Sequence, residues 1–348
     1  QFKPENIIYE LSRIKAMKNH HTTVLITILF IFSSHVTNGQ TKMDSSITYI
    51  HSEKASFTSK MIQSMSSLFG VKKGGDMIKK SNQSKSTEVP TPVPTSMCKK
   101  YDIQESIINN RKVWTIKPKE NGSDKVVLYL HGGAYVTTIK KYYWKFVEEL
   151  ILKTNATIVI PDYPLAPSSN CENATDFVVQ LYQELLKKYS SENIDLMGDS
   201  SGGGLALGFA MQLSKENKPQ PHQIILLFPW LDVTMSNKDI LEIDKKDKIL
   251  GIEPLQIAGK AFAGELDLKD HRVSPIYGDF SGLGKISVFI GTHDLFVADC
   301  RKLKSLAKTS NISMNYFEYP KMFHGWVLAS MQESKVAINQ ISSLIKNE

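Results

Sequence analysis

The segment Gly198-Asp199-Ser200-Ser201-Gly202 decides the fold. It follows a short, mainly apolar run at 193–197 and precedes a stretch with helical character at 203–214. A serine between glycines at the junction of a strand and a helix is typical of a nucleophile elbow, a sharp turn that exposes the serine hydroxyl. Small residues two positions before and after the serine let the strand and the helix approach closely. Because Gly and Ser also occur in ordinary turns, this interpretation depends on partner residues elsewhere.

Length and composition are those of an ordinary globular protein with a sizeable core. The chain has 348 residues, of which 41% are hydrophobic and 22% charged, and a net charge of +7. The lysines are scattered and form no basic run interleaved with aromatic residues, so we expect no nucleic-acid partner. The cysteines, Cys98, Cys171 and Cys300, form no Cys-x-x-Cys pair and no zinc spacing. We therefore expect neither a metal nor another cofactor.

The N-terminal region has the layout of a leader. A basic segment precedes an apolar run at 22–32, and a polar stretch follows. This layout predicts a secretory signal peptide over residues 17–39, with residues 1–16 as a non-native extension, and a secreted, periplasmic or lumenal protein. The apolar run is too short to span a bilayer comfortably. A translation start at Met43 would instead give a cytoplasmic product.

The rest of the chain divides into an N-terminal region, residues 40–97, and a core, residues 98–348. Apolar positions spaced three and four apart over 43–70 predict one or two amphipathic helices. A linker rich in Pro, Ser and Thr follows over 81–97. The core is interrupted by a lysine-rich, helix-prone insertion at about 232–267, which we expect to form a lid over one edge of the core.

Short β-like runs alternate with helical stretches from residue 101 onward. Several runs are apolar throughout, as expected for strands buried on both faces of a mainly parallel sheet. Helices are predicted over 171–189 and 332–346, and the alternation indicates an α/β fold with an open, doubly wound sheet. Functional groups should then gather at the carboxyl ends of the strands. The predicted strands are 126–130, 157–161, 194–197, 224–228, 286–290 and 315–319.

A serine nucleophile requires a base, a carboxylate that orients the base, and donors for the oxyanion that forms on attack. The segment His-Gly-Gly-Ala-Tyr at 131–135 directly follows a predicted strand. Its glycines allow backbone amides to face the substrate carbonyl without an obstructing side chain. We therefore predict an oxyanion hole formed by the amides of Gly132, Gly133 and Ser201.

Asp294 and His324 are the predicted carboxylate and base. Asp294 follows the strand at 286–290, and His324 follows the last predicted strand. Asp299 is the alternative carboxylate, but it falls where a helix is expected to have begun. The order Ser200, Asp294, His324 is that of α/β hydrolases, and each residue comes just after a predicted strand. The joint pattern therefore predicts a catalytic triad.

Four motifs together resemble the hormone-sensitive lipase-like α/β hydrolases, which include bacterial family IV esterases and relatives of arylacetamide deacetylase. The resemblance covers roughly residues 100–345. It implies an α/β-hydrolase core under a helical cap, built from the N-terminal helices and the mid-chain insertion. It also implies hydrolysis of short- to medium-chain carboxylic esters, with Ser200, Asp294 and His324 as nucleophile, acid and base. The motifs are His-Gly-Gly-Ala-Tyr at 131–135, Pro-Asp-Tyr-Pro-Leu-Ala-Pro at 161–167, Gly-Asp-Ser-Ser-Gly-Gly at 198–203 and Phe-His-Gly-Trp at 323–326.

The chain departs from the family pattern at three positions. Ala134 replaces the third glycine of His-Gly-Gly-Gly, Ser201 replaces the usual alanine, and Ser168 replaces a frequent glutamate. Two alternatives stay open: an amidase, deacetylase or formamidase would use the same triad, and a non-catalytic ligand-binding member should lack one of its residues. We expect a small-molecule ester substrate and no stable membrane span. The preferred acyl chain and alcohol, and whether the protein forms a homodimer, are not predicted.

Overall fold

A nine-stranded sheet forms the centre of the computed structural model, which describes residues 46–68, 89–310 and 312–347. The strands are β1 (Thr48–Ile50), β2 (Tyr101–Ile108), β3 (Arg111–Pro118), β4 (Val126–Leu130), β5 (Thr157–Pro161), β6 (Ile194–Asp199), β7 (Gln223–Leu227), β8 (Lys285–His293) and β9 (Met314–Phe323). Their order across the sheet is β1-β9-β8-β7-β6-β4-β5-β3-β2.

Most of the sheet is parallel. The pairings from β5 through β4 to β9, and that of β1 with β9, are parallel, whereas β3 pairs antiparallel with both β2 and β5. Strands β4 to β7 are buried at every position, as strands covered on both faces must be. The predicted mainly parallel, doubly wound sheet is confirmed.

Helices connect the parallel strands and cover the sheet. The connection from β4 to β5 and the connection from β5 to β6 run in opposite directions across the sheet. Since such crossovers are right-handed as a rule, their helices are expected on opposite faces. Helix α3 packs on α9, and α4 packs on α5. The helices are α1 (Phe57–Leu68), α2 (Thr95–Lys100), α3 (Lys141–Thr154), α4 (Cys171–Leu186), α5 (Ser201–Lys215), α6 (Ile240–Asp244), α7 (Ile252–Ala263), α8 (Val297–Thr309) and α9 (Gln332–Lys346).

Each strand predicted from the sequence coincides with an observed strand, within a few residues at the ends. The predicted helices over 171–189 and 203–214 correspond to α4 and α5, and the helix over 332–346 is confirmed at both ends. The helix-prone insertion at 232–267 contains α6 and α7. Long, strongly patterned segments are therefore predicted correctly.

The prediction of helices throughout 43–70 is wrong for its first half. Of the described residues in this range, 48–50 form β1 and 57–68 are helical. The Ile47 carbonyl accepts a hydrogen bond from the Tyr316 N–H (2.7 Å), which adds this segment to the edge of the sheet. Pairing with a strand more than 260 residues away overrides the local spacing of apolar residues, because that spacing carries no information on sheet neighbours.

The β2–β3 hairpin is absent from the predicted strands. Its two-residue turn, Asn109-Asn110, has positive φ angles of 47° and 60°. Asparagine tolerates this left-handed conformation, which the favoured hairpin turns require. The Asn-Asn pair was thus a usable signal for the hairpin.

Residues 1–45 and 69–88 lie outside the described part of the chain. The predicted signal peptide over 17–39, the alternative start at Met43 and residues 81–88 of the predicted linker concern these residues and stay predictions. Of the described linker residues, 89–94 belong to no helix or strand, whereas 95–97 form the start of α2. Within the described ranges, no helix has the length and apolar character needed to cross a membrane.

Candidate active site

Ser200 stands at the turn between β6 and α5 in a strained conformation, with φ 53° and ψ −122°. The Ser200 N–H donates to the Leu227 carbonyl (2.9 Å), which ties the turn to β7. A Cβ atom at Gly198 would overlap the Gly202 carbonyl, and one at Gly202 would overlap the Leu130 carbonyl. The two glycines are therefore required by the close approach of strand and helix, as the elbow pattern predicts.

The three residues predicted as a triad meet at the carboxyl ends of β6, β8 and β9. Ser200 Oγ lies 2.9 Å from His324 Nε2, and His324 Nδ1 lies 2.8 Å from Asp294 Oδ2. Since the carboxylate only accepts, Nδ1 carries the proton and Nε2 is left to accept the Ser200 proton. Asp294 is fully buried, whereas Ser200 keeps 7% of its surface exposed. The His324 side chain is also partly exposed (12%), so the serine and the histidine are the members of the set that solvent and small molecules reach from the surface.

Two phenylalanines fix the plane of the His324 ring. The rings of Phe228 and Phe296 meet it edge to face, with centroids 5.0 and 5.1 Å away. Both phenylalanines are buried. Their contacts restrict rotation of the imidazole.

The charges around His324 favour its protonated form. Burial lowers the pKa of His324, but the charge of Asp294 and its hydrogen bond, together with the charges of Asp247 and Asp199, outweigh burial. The pKa therefore lies above the ordinary 6.5. A base with such a pKa takes a proton readily near neutral pH.

Asp294 belongs to a tight turn between β8 and α8, which we call the acid turn (residues 294–297). Its Oδ1 accepts the Phe296 N–H (3.0 Å), so its Oδ2 is held toward His324. The alternative carboxylate, Asp299, lies inside α8 and accepts a hydrogen bond from the Asn237 amide instead (2.9 Å). The expectation that Asp299 falls within a helix is confirmed.

The loop after β4, residues 131–138, has an unusual backbone, and we call it the oxyanion loop. Gly133, Ala134 and Tyr135 have consecutive positive φ angles of 123°, 53° and 63°. The value at Gly133 is one that other residues rarely adopt. Neither the Gly133 amide nor the Ser201 amide at the start of α5 donates to any described residue. Both donors are available to a ligand.

The prediction that Gly132 contributes to the oxyanion hole is wrong for the observed loop. The Gly132 N–H donates to Asp199 Oδ1 (2.8 Å), a carboxylate that also accepts the hydroxyls of Tyr129 (2.8 Å) and Tyr143 (3.2 Å). Burial raises the pKa of Asp199 to about 6. A Cβ atom at Gly132 would overlap Asp199 Oδ2, so this glycine is required for close approach.

Sequence reasoning missed Asp199 as a residue of the site. The available signal was a lone acidic residue between the apolar run of β6 and Ser200. A fully buried carboxylate must be hydrogen-bonded, and the nearest unpaired donors lie in the loop after the neighbouring strand β4. Asp199 therefore anchors the oxyanion loop to the strand that carries the serine.

The segment after β5 supports the oxyanion loop from the other side. The Tyr163 hydroxyl donates to the His131 carbonyl (2.6 Å), and the Thr138 hydroxyl donates to Asp162 (2.5 Å). His131 stacks on Tyr163 with centroids 4.5 Å apart, and burial lowers its pKa to about 4. His131 is therefore a neutral packing residue.

The insertion at 232–267 contacts both loops beside Ser200. Phe262 of α7 stacks on Tyr135 of the oxyanion loop, with ring centroids 3.6 Å apart. Asp247, between α6 and α7, accepts the Leu295 N–H of the acid turn (2.8 Å). Whether the insertion opens and closes as a lid stays a prediction.

In the described part of the chain, no three His, Cys, Asp or Glu side chains are grouped as a metal site would require. The three cysteines are unpaired.

Comparison with known proteins finds the same fold. An esterase of Acinetobacter venetianus is 28% identical over 222 residues, which cover 63% of this chain and 73% of that protein. A triacylglycerol lipase of Mycobacterium tuberculosis is 27% identical over 65% of this chain and 47% of its own length. A solved Staphylococcus aureus structure, provisionally assigned as an esterase, superposes with a TM-score of 0.72 and 26% identity over 80% of this chain and 92% of that one.

The sequence also matches the family model described as alpha/beta hydrolase fold over residues 127–328. This range begins in β4 and ends just beyond His324. The resemblance inferred from the motifs is thereby confirmed, and with it the predicted fold. The chain belongs to the α/β hydrolase fold family.

Proposed function

We propose that this protein is a serine carboxylesterase that hydrolyses short- to medium-chain carboxylic esters through an acyl-enzyme. The observation that carries the proposal is the chain of two hydrogen bonds from Ser200 Oγ through His324 to Asp294, both shorter than 3.0 Å. Ser200 lies at a strained turn, beside the Gly133 and Ser201 amides, which donate to no described residue. These are the parts that acyl transfer requires.

In the proposed acylation, Ser200 Oγ attacks the ester carbonyl carbon while its proton moves to His324 Nε2. The carbonyl oxygen becomes an oxyanion, which the Gly133 and Ser201 amides stabilise. Asp294 keeps the imidazole oriented and stabilises its cationic form. His324 then transfers the proton to the alkoxide oxygen as the C–O bond breaks, and the alcohol leaves.

Deacylation repeats these steps with water. Water attacks the acyl carbon and gives a proton to His324 Nε2, and a second oxyanion forms in the same place. When it collapses, the bond to Ser200 Oγ breaks, the serine recovers its proton from His324 and the carboxylic acid is released. Side chains, backbone amides and water account for every proton in this scheme.

The nature of the relatives supports ester hydrolysis over the alternatives. Those named above carry the names esterase and triacylglycerol lipase. A non-catalytic binding protein of this fold would be expected to lack a triad residue, whereas Ser200, Asp294 and His324 are all in hydrogen-bonding positions. Amide cleavage would use the same groups, and no contact in the site favours it.

The test is hydrolysis of p-nitrophenyl butyrate by the wild type and by Ser200→Ala. We expect the variant to lose about 10⁶-fold in kcat, as in other enzymes whose serine is removed from a triad. Ser201→Ala is the comparison variant: it keeps the backbone amide but removes the hydroxyl that accepts the Tyr135 N–H (3.2 Å), so we expect a much smaller loss than in Ser200→Ala. Retained activity in Ser200→Ala would refute the proposal.

A matched anilide of butyric acid, assayed beside the ester, separates the two hydrolase functions. A higher kcat/KM on the anilide would favour the amidase alternative. A series of p-nitrophenyl esters of increasing chain length then measures how much acyl chain the site accepts.

A further inference from the structure

Asp247 is a buried carboxylate that joins the insertion to the acid turn. It lies between α6 and α7, and only 1% of its surface is exposed. Its Oδ1 accepts the N–H groups of Ile249 (2.7 Å) and Leu250 (2.9 Å) on its own loop. Its Oδ2 reaches across to the Leu295 N–H (2.8 Å).

Two carboxylates therefore hold consecutive amides of one turn. The Leu295 N–H donates to Asp247, and the next amide, that of Phe296, donates to Asp294. Because the turn is fixed at both amides, Asp294 has little freedom to rotate its Oδ2 away from His324 Nδ1. The orientation of the base thus depends on a residue from outside the core strands.

We propose that Asp247 is a positioning residue for the hydrolytic reaction: it holds the acid turn through the Leu295 amide and adds negative charge that stabilises protonated His324. This inference rests on the proposed esterase function. It also assigns a role to the insertion beyond shaping the substrate pocket, because displacement of the Asp247 loop would disturb the acid turn directly.

The charges around these groups agree with that role. Burial and the charge of Asp294 raise the pKa of Asp247 to about 6, so it is mainly ionised at neutral pH. The largest charges acting on His324 are those of Asp294 from the acid turn, Asp247 from the insertion and Asp199 from the end of β6. On the Asp247 loop itself, Lys246 and Lys248 line a surface groove that also includes His293.

The experiment is the pH profile of kcat/KM for p-nitrophenyl butyrate, measured for the wild type and Asp247→Asn. The asparagine can keep the two contacts on its own loop, but it has no charge and no second acceptor for the Leu295 N–H. We expect kcat/KM to fall about tenfold through misplacement of the base. We also expect the acid limb of the profile, which is the fall in kcat/KM at low pH, to move to lower pH by roughly half to one unit. The reason is that loss of a negative charge lowers the pKa of His324.

Asp299→Asn is the matched control. Asp299 is equally buried, burial raises its pKa to about 6 as well, and it is not among the largest charges acting on His324. We expect its acid limb to coincide with that of the wild type. Asp247→Glu keeps the charge and should keep the limb near its wild-type position even if the rate falls.

A lower rate in Asp247→Asn with an unshifted limb would overturn the proposal, because a purely structural role moves the rate alone. Asp247→Ser, which also lacks the charge, is the second variant if the Asp247→Asn protein does not fold. If neither variant folds, Asp247 contributes to stability alone and the proposal is likewise overturned. A wild type that does not hydrolyse esters would refute the proposed function, and with it this inference. If the wild type hydrolyses esters and the acid limb of a folded Asp247→Asn or Asp247→Ser variant does not shift, this inference alone is refuted.

Discussion

The acid turn and the oxyanion loop both lie beside Ser200, yet they hold their functional groups by different means. In the acid turn the functional group is a side chain, and the carboxylates of Asp294 and Asp247 fix it by accepting backbone amides. In the oxyanion loop the proposed functional group is the backbone itself, which adopts a run of three positive φ angles that begins at Gly133. We expect loss of activity when a charge is removed from the acid turn, and when a Cβ atom is added to the oxyanion loop.

This difference sets how each region responds to mutation. A carboxylate exchanged for its amide keeps the shape of the acid turn but changes which atoms donate and accept. A glycine with φ near 120° exchanged for alanine forces the loop into another path. Matched substitutions in the two regions therefore separate proton chemistry from backbone geometry.

The largest expected effect of breaking the acid turn comes from Asp294→Asn. The asparagine amide would face His324 Nδ1 as a donor, which favours the tautomer with the proton on Nε2 and leaves no acceptor for the Ser200 proton. We expect kcat to fall about 10⁴-fold, as for a triad carboxylate exchanged in the same way. Initial rates on p-nitrophenyl butyrate measure this loss. Asp299→Asn should retain wild-type kcat, and an Asp294→Asn enzyme within tenfold of the wild type would contradict the account.

A smaller loss is expected when Gly133→Ala breaks the oxyanion loop. The φ of 123° is unfavourable for alanine, and the new Cβ atom would overlap the Thr137 carbonyl. Displacement of one oxyanion donor should cost about 10²- to 10³-fold in kcat with little change in KM. Steady-state kinetics on the same ester separate the two parameters.

Gly282→Ala is the control for Gly133→Ala. Gly282 also has a positive φ, 75°, and lies in a loop outside the site. Both exchanges should lower the free energy of unfolding by about 1 kcal/mol or more, but only Gly133→Ala should lower kcat. Equal kcat values in the two variants would show that the Gly133 amide does not contribute to catalysis.

The smallest expected effect is a shift of the acid limb of the wild-type pH profile above the ordinary pKa of histidine. Acylation needs neutral His324, whose pKa lies above 6.5 because the surrounding carboxylates outweigh burial. A raised pKa means that protonation begins at higher pH, so kcat/KM should fall as the pH drops through a midpoint above 6.5. The profile measured in buffers of constant ionic strength checks this sign. A midpoint below 6.5 would mean that burial prevails over the charges of Asp294, Asp247 and Asp199.

The acid turn was more predictable from the sequence than the oxyanion loop. Ser200, Asp294 and His324 each follow a strand with a clear apolar pattern, and parallel strands bring their carboxyl ends together. The oxyanion loop depends on a contact that no local pattern reveals, between Gly132 and the buried carboxylate of Asp199. A glycine required for close approach and a glycine required for a free amide look the same in a sequence.

The remaining differences between sequence and structure have a similar physical origin. β1 owes its conformation to a distant edge strand, β9, so apolar spacing over 43–70 could not distinguish it from a helix. The insertion was predicted from its composition, but its contacts through Asp247 and Phe262 depend on how it folds back onto the core. The local sequence pattern predicts the central strands and helices, whereas β1 and the contacts of the insertion depend on residues far away in the chain.

The central claim is that Ser200 is a nucleophile activated by His324. Its most direct test is mass spectrometry after brief exposure to a fluorophosphonate, which forms a covalent bond to an activated serine and releases fluoride. We predict a single adduct on Ser200 in the wild type and none in His324→Asn over the same interval. An adduct on Ser201, or one that forms equally fast without His324, would contradict the account.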